Sequence, residues 1–369
     1  MSSALRFLQR TIAIATAEDI PVWQQWHDLW RFHRLLGMSP GEFDRYDLWD
    51  RRRPLTERVA YLSHAEHRII EKAVNPADAV RALNDKILTT QRLVAAGIPM
   101  PKLLGVIGGM SATTGAPTSA SIATALSALA AAASPGGIVI KPNRGQGGHG
   151  VEVFPRTDRA GLVRPDGSVV SIAAVAAMLA NRPVAQWKVE EWLAPHPATA
   201  RFAPESLATV RILTFRAPDG RINVGPATLK LPIDASGVDN FGAGNLAAPL
   251  DLTTGRLGPA VHAITRGKVV VHPRTGERIE DAVLPQVEAL VQLASAAAEV
   301  LNELTILGWD IALTTDGPRV IEGNAWWSEL ILQKPHGRGI VAGRFAELLE
   351  EHGLGELIEK RRSEMRDER

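Results

Sequence analysis

Two groups of residues have types and spacings that could do chemistry. The first lies between Ile138 and Phe154. Lys141 follows the β-branched run Ile138-Val139-Ile140, and Gly145, Gly147, Gly148 and Gly150 come within the next nine residues. A loop so poor in side chains lets backbone N–H groups close around an anion, and the lysine adds a fixed positive charge beside it. The second group is Asp310, Glu322 and Asn324. Alternation along a strand puts Glu322 and Asn324 on one face. A tight hairpin through Thr315-Asp316-Gly317-Pro318 can return the chain so that Asp310 lies alongside. Two carboxylates and an amide oxygen are hard ligands, suited to Mg²⁺ held jointly with phosphate.

The elements around the glycines narrow the chemistry. Gly145-x-Gly147-x-x-Gly150 spells the dinucleotide fingerprint, but that fingerprint needs a helix after the glycines. Val151-Glu152-Val153-Phe154 follows instead and reads as a strand. A P-loop would need Gly-Lys-Ser/Thr, which is absent. A protein kinase would place its lysine after the loop and carry His-Arg-Asp and Asp-Phe-Gly, and neither occurs. An ordinary glycine-rich hairpin turn is the remaining alternative.

The rest of the chain reads as mixed helix and strand. Residues 1–75 read as helical. Trp23, Trp26 and Trp30 fall on one helix face and are read as a packed apolar stripe, with a docking face for a partner as the alternative. Arg51-Arg52-Arg53 reads as a solvated run, and His64 with His67 as a surface pair lacking further metal ligands. Asn75 is expected to cap a helix running through Asn84-Asp85-Lys86 to Ala96. Then come a strand at 103–107, a loop at 108–121, a short helix at 122–133 and, after Pro135-Gly136-Gly137, the lysine-bearing strand. Beyond the glycine loop we expect a helix at 171–181, a strand at 185–193, paired strands at 209–216 and 222–231, and a second glycine-bearing loop at 238–248. A long helix at 284–304, the hairpin of Asp310 and Glu322, and a charged helix from about Phe345 complete the pattern.

Composition excludes several classes. Lys plus Arg is 41 and Asp plus Glu is 40, so charge offers no case for nucleic acid as a partner. The absence of cysteine excludes disulfides, thiolate metal sites and cysteine nucleophiles, and fits a reducing compartment. No basic region followed by a long apolar run marks a signal peptide, and the alanine-rich stretch 122–133 is too short for a bilayer. A cytoplasmic protein without membrane insertion is expected.

Taken together, the chain resembles the ATP-grasp superfamily from about Asn84 to Gly339, and within it the sugar-transfer-associated branch. The matching stretches, in family order, are Asn84-Asp85-Lys86, Ile140-Lys141-Pro142 with the glycine loop, Val189-Glu190-Glu191-Trp192-Leu193, Thr209-Val210-Arg211-Ile212, and Trp309-Asp310 with Glu322-Gly323-Asn324. Leu229-Lys230-Leu231 followed by Asp239-Asn240-Phe241-Gly242-Ala243-Gly244 is similar to the acceptor loop of ribosomal-protein glutamate ligases. Two departures stand out. Gly323 sits where many relatives have an aliphatic residue, and Ala325-Trp326-Trp327 follows Asn324 in place of a small residue and Ser-Pro.

The resemblance implies an α+β ATP-grasp fold, two lobes clasping ATP, with a helical N-terminal extension. Its implied segments are a 1–75 extension, a 76–137 α/β region, a 138–195 small lobe, a 196–344 large lobe and a 345–369 terminal helix. It implies that Lys86 and Lys141 contact nucleotide phosphates and that the loop bearing Gly145, Gly147, Gly148 and Gly150 covers them. Glu190 and Leu193 would hold the adenine edge, and Glu191 or His196 the ribose. Arg211 and Lys230 would neutralise the transferring phosphoryl group. Asp310, Glu322 and Asn324 would bind Mg²⁺, with Mn²⁺ as a substitute. Arg211, Asp239, Asn240 and Gly244 would face the substrate. The implied reaction joins a small-molecule carboxylate to an amine through an acyl phosphate, releasing ADP. The alternatives are a small-molecule kinase on the same fold and a nucleotide-binding accessory protein of surface-polysaccharide assembly. A homodimer or protein partner would dock through the tryptophan-rich helix.

Overall fold

The computed structural model describes residues 3–108, 118–133, 136–145, 147–158, 161–234 and 239–367. Most of the expected loop at 108–121, Pro135, Gln146 and Val238 therefore lie outside the described residues. The fold is α+β. Its strands are β1 (Leu103–Gly108), β2 (Ile138–Pro142), β3 (Glu152–Phe154), β4 (Arg156–Asp158), β5 (Gly161–Val163), β6 (Val169–Val170), β7 (Gln186–Glu191), β8 (Thr209–Arg216), β9 (Ile222–Leu231), β10 (Leu246–Leu250), β11 (Val261–His262), β12 (Ile306–Thr314) and β13 (Gly317–Asn324). They form a four-stranded sheet in the order β1-β7-β2-β3, a six-stranded sheet in the order β11-β10-β9-β8-β12-β13, and a small β4-β5-β6 sheet.

Strand alternation sorts each sheet into a packed face and a polar face. In the smaller sheet Ile138, Ile140, Phe154, Trp187 and Val189 pack with the helices Ser119–Ala133 and Ile172–Ala180. Val139, Lys141, Lys188 and Glu190 alternate with them and take the other side. In the six-stranded sheet Ile212, Leu229, Trp309 and Ile311 pack with the helix Val287–Val300. Arg211, Lys230, Asp310 and Glu322 occupy the opposite side.

The N-terminal helices are stitched to the six-stranded sheet. Leu62, Ile70 and Val74 share a core with Leu213, Phe215, Trp327 and Ile331. Gln333 bonds the backbone of Leu62 twice, at 2.7 Å and 3.0 Å. Asn75 does not cap the following helix. Its Oδ1 accepts from Thr305 N at 2.8 Å, and its Nδ2 donates to Ile306 O at 2.9 Å. The helix starts at Ala77 behind Pro76.

Three further expectations change. The expected single helix from 77 to 96 is broken at Asn84. Asp85 starts a new helix, Lys86–Ala95, and caps it by accepting from Leu88 N at 3.1 Å. The tryptophan stripe does not enter the core: Trp23, Trp26 and Trp30 are exposed, Trp26 making an edge contact with Phe7, while Gln25, Asp28, Leu29, Phe32 and Leu36 form the buried face of their helix. That buried face is mainly apolar, Leu29, Phe32 and Leu36 joining the N-terminal core, and Asp28 is held on it by Arg51 and Arg58. The C-terminal segment is two helices, Gly343–Glu351 and Gly355–Asp367, interrupted at Gly353, whose φ is +78°. None of the described helices is long and apolar enough to cross a membrane.

Candidate functional site

The polar faces of the two larger sheets meet across a cleft of about 590 Å³. On one wall the register pairs Lys141 with Lys188 and Val139 with Glu190, so two lysines and one glutamate point the same way. Lys141 and Lys188 both form ion pairs with Glu190, whose side chain is 1% exposed. Burial alone would raise the Glu190 carboxyl; the two lysine charges outweigh it and hold Glu190 below its usual value. Burial pulls Lys188 down, and Glu190 restores part of that loss. Two cations against one anion leave this wall positive.

The glycine loop crosses the mouth of the cleft. Gly147, Gly148 and Gly150 have φ of +67°, +73° and +79°, a region that other residues rarely enter. Three side chains hold the loop by its carbonyls. Lys86 Nζ donates to Gly145 O at 2.9 Å, Asn240 Nδ2 to Gly147 O at 2.7 Å, and Arg182 Nη1 to Gly150 O at 3.1 Å. The helix break at Asn84 is what points Lys86 here. Asn143, just past β2, fixes the new helix start by accepting from Ile87 N at 3.0 Å. Lys86 Nζ also lies 3.5 Å from Glu322 on the facing sheet.

The second wall is a row across β8, β12 and β13, in which Arg211 is paired with Asp310 and Asp310 with Glu322. Arg211 grips Asp310 with two bonds, 2.7 Å and 3.0 Å, and donates a third to Trp327 O. Lys230 Nζ sits 3.0 Å from Asp310 and 2.9 Å from Asp239. Asp239 also accepts from Thr209 N at 3.1 Å. Burial would raise Asp310, but Arg211 and Lys230 outweigh it and hold it far below the usual carboxylate range. Asp239 is raised by burial, with the Asp310 charge adding to it. Gly308 makes room for this packing, since a Cβ there would meet Trp327 Cβ at 2.8 Å and Arg211 Cδ at 3.1 Å.

The donor set suits a hard cation. Asn324 donates Nδ2 to Gly308 O at 3.3 Å, which leaves its Oδ1 free to ligate, and Glu322 is about one-third exposed at the cleft. Asp310 has both oxygens engaged by cations, so it could reach a metal only through its remaining lone pairs. Glu322 and Asn324 are therefore the readier oxygen donors.

Other expected residues are distributed unevenly. Leu193, Asp239 and Asn240 line the cleft, as does Glu191, whose Oε1 is taken by Lys102 N at 2.8 Å. His196, Gly150 and Gly244 are not among the lining residues. His196 instead caps the short helix Pro197–Ala200, accepting at Nδ1 from Ala198 N at 3.0 Å, so the ring is turned to its own backbone. Gly244 closes the turn Phe241–Ala243 with φ of +108°. Among the lining residues that were not anticipated are Lys188 and Trp326. Lys188 had a usable signal, being two residues before Glu190 on the same strand face. Trp326 had none beyond its place after Asn324.

Comparison with known proteins agrees with this architecture. The family described as sugar-transfer associated ATP-grasp matches residues 66–346, more than half of the chain. The chain belongs to that family. Among curated proteins, none matches the sequence. Solved structures with a similar fold include the ADP complex of PurK, an N5-carboxyaminoimidazole ribonucleotide synthetase (14% identity, 66% of this chain and 45% of that one, TM-score 0.39). Others are D-alanyl-alanine synthetase A from Vibrio cholerae O1 biovar eltor (14%, 77% and 68%, TM-score 0.45) and an L-amino acid ligase from Bacillus licheniformis (14%, 67% and 41%, TM-score 0.35). The chain spans about half the length of the first of these.

Proposed function

We propose that the chain is an Mg-ATP-dependent carboxylate–amine ligase. The observation that carries this reading is the pairing of walls: a positive wall under a glycine loop faces a charge-balanced row ending in open oxygen donors. Lys86, Lys141 and the loop amides take the nucleotide phosphates, and the backbone near Glu190 and Leu193 takes the adenine edge. Glu322 and Asn324, with Asp310 behind them, hold Mg²⁺. When bound, the ion supplies charge neutralisation of the phosphates. A substrate carboxylate oxygen attacks the γ-phosphorus, the bond to the β–γ bridging oxygen breaks, and ADP leaves. Arg211 and Lys230 offer their remaining N–H donors to the phosphoryl oxygens, fixed in place by Asp310 and Asp239. The amine then attacks the acyl carbon and phosphate leaves. The chain needs no nucleophile of its own, in keeping with the absence of cysteine.

The test is incubation with Mg-ATP and pooled amino acids, amines and sugar acids, with ADP, AMP, phosphate and hydroxamate all measured. ADP and phosphate in equal amounts, with hydroxamate formed when hydroxylamine replaces the amine, is the expected outcome. AMP with pyrophosphate overturns the acyl-phosphate route. ADP without free phosphate or hydroxamate would mean transfer to a hydroxyl group.

A further inference from the structure

The helix His64–Val74 brings a second set of ligating groups beside the cleft wall formed by Trp326 and Ser328. His64 and His67 are one turn apart, and both present Nδ1 to the carboxylate of Glu329, the first residue of the helix Glu329–Gln333. His67 is fully buried and bonded to Glu329 Oε2, so it is not the surface residue its polar neighbours suggested. His64 Nδ1 lies 3.4 Å from Glu329 Oε1, and its side chain is 54% exposed. One ligand atom from each of the three residues falls within 4.8 Å of the others.

We propose that His64, His67 and Glu329 form a binding site for a divalent transition metal of the Zn²⁺ class, separate from the oxygen-donor site of Glu322 and Asn324. Zinc bonds of 2.0–2.2 Å in tetrahedral geometry imply ligand separations of roughly 3.3 Å, which the His64–Glu329 distance already matches. The tight His67–Glu329 hydrogen bond is the contact that a cation would replace. Two imidazoles and one carboxylate leave a fourth position for water or another oxygen ligand. The nitrogen donors select against Mg²⁺, which prefers oxygen.

The site is preorganised. The pair of hydrogen bonds between the Gln333 side chain and the Leu62 backbone clamps the two ligand-bearing segments together. Ser63 caps the histidine helix by accepting from Glu66 N at 3.1 Å, and buried Arg361 holds Glu66. Ser328, immediately before Glu329, is held at φ +61°, a strained conformation for a residue with a side chain. Trp326 packs against both imidazoles, with ring centroids 4.9 Å from His64 and 4.2 Å from His67, and Trp327 covers His67 at 4.0 Å. His67 Nε2 is left buried with no partner. Trp326 and Ser328 line the cleft, so the metal would abut its wall.

The experiment titrates the full-length, chelator-stripped chain with Co²⁺ in excess Mg²⁺ and without nucleotide, read by visible absorption. One saturating equivalent with the strong d–d bands of a tetrahedral site, displaced by Zn²⁺, is expected. His64→Ala and Glu329→Gln should each weaken binding about 100-fold, since even outer partners of metal ligands are worth 10–100-fold. Glu322→Gln should leave the titration unchanged, which separates this site from the proposed Mg-ATP site. The proposal fails if no saturable tetrahedral spectrum forms, or if it forms equally in His64→Ala. Because His64 is half exposed, that variant carries the test even if Glu329→Gln does not fold.

Discussion

The two walls of the cleft solve the problem of buried charge differently. The small-sheet wall holds Lys141 and Lys188 against Glu190 alone, and so keeps a surplus of positive charge. The large-sheet wall sets Arg211 and Lys230 against Asp310 and Asp239, a balanced group. An unbalanced wall attracts an anion by itself. With Glu322 added this wall carries one more carboxylate than cations, so it gains nothing from a bare anion and favours a cation arriving with it. The lesson is that one cleft can keep a standing positive charge on one wall and spend its cations on carboxylates along the other.

Removing Asp310 should break this contrast most. Asp310→Asn leaves two buried cations short of an anion, and breaking a buried pair in this way costs about 3–5 kcal/mol. Denaturant unfolding should show that loss, whereas Glu322→Gln, at a part-exposed carboxylate, should stay within about 0.5 kcal/mol of the parent. Equal losses in both variants would remove the distinction. The same pair has a pH signature. Asp310 is depressed in the folded chain, so its contribution is complete above the unfolded value of about 3.9 and is lost as pH falls from there through the folded value. The parent should therefore lose stability below about pH 4 more steeply than Asp310→Asn does.

Lys141→Ala tests the positive wall. ATP affinity by calorimetry should fall about ten- to a hundred-fold, with or without Mg²⁺, as expected for a charge-assisted contact of about 1.5–3 kcal/mol. Unchanged affinity would take Lys141 out of the nucleotide site. Glu322→Gln is the sharpening counterpart: it should weaken ATP about tenfold with Mg²⁺ present and leave the Mg²⁺-free affinity alone. A loss independent of Mg²⁺ would place Glu322 elsewhere. The smallest effect should come from Asn240→Ala, which removes the 2.7 Å bond to the glycine loop. Hydrogen exchange of the loop amides should rise by the few-fold that corresponds to about 0.5–1.5 kcal/mol.

What could be read from the sequence was local. Strand alternation and turn residues placed β8, β9 and the hairpin of Asp310 and Glu322, and glycine spacing found the loop. The balanced group was not legible, because Arg211 and Asp310 lie 99 positions apart and meet only through the pairing of β8 with β12. His67 and Glu329, 262 positions apart, are hidden for the same reason. The tryptophan helix misled because its spacing marks a shared face without saying which way that face turns. The direction is set by Leu29, Phe32 and Leu36 in the core and by Asp28 through Arg51 and Arg58.

Gly339 extends these observations. A single methyl there would press on the backbone of Ala60 and Tyr61 at 2.0–2.2 Å, and Val341 N donates to Ala60 O at 2.9 Å just beyond. Main chain thus lies directly on main chain where the first helices cross the last third of the protein. Cutting the leading segment away would therefore uncover main chain that is packed and hydrogen-bonded at this seam.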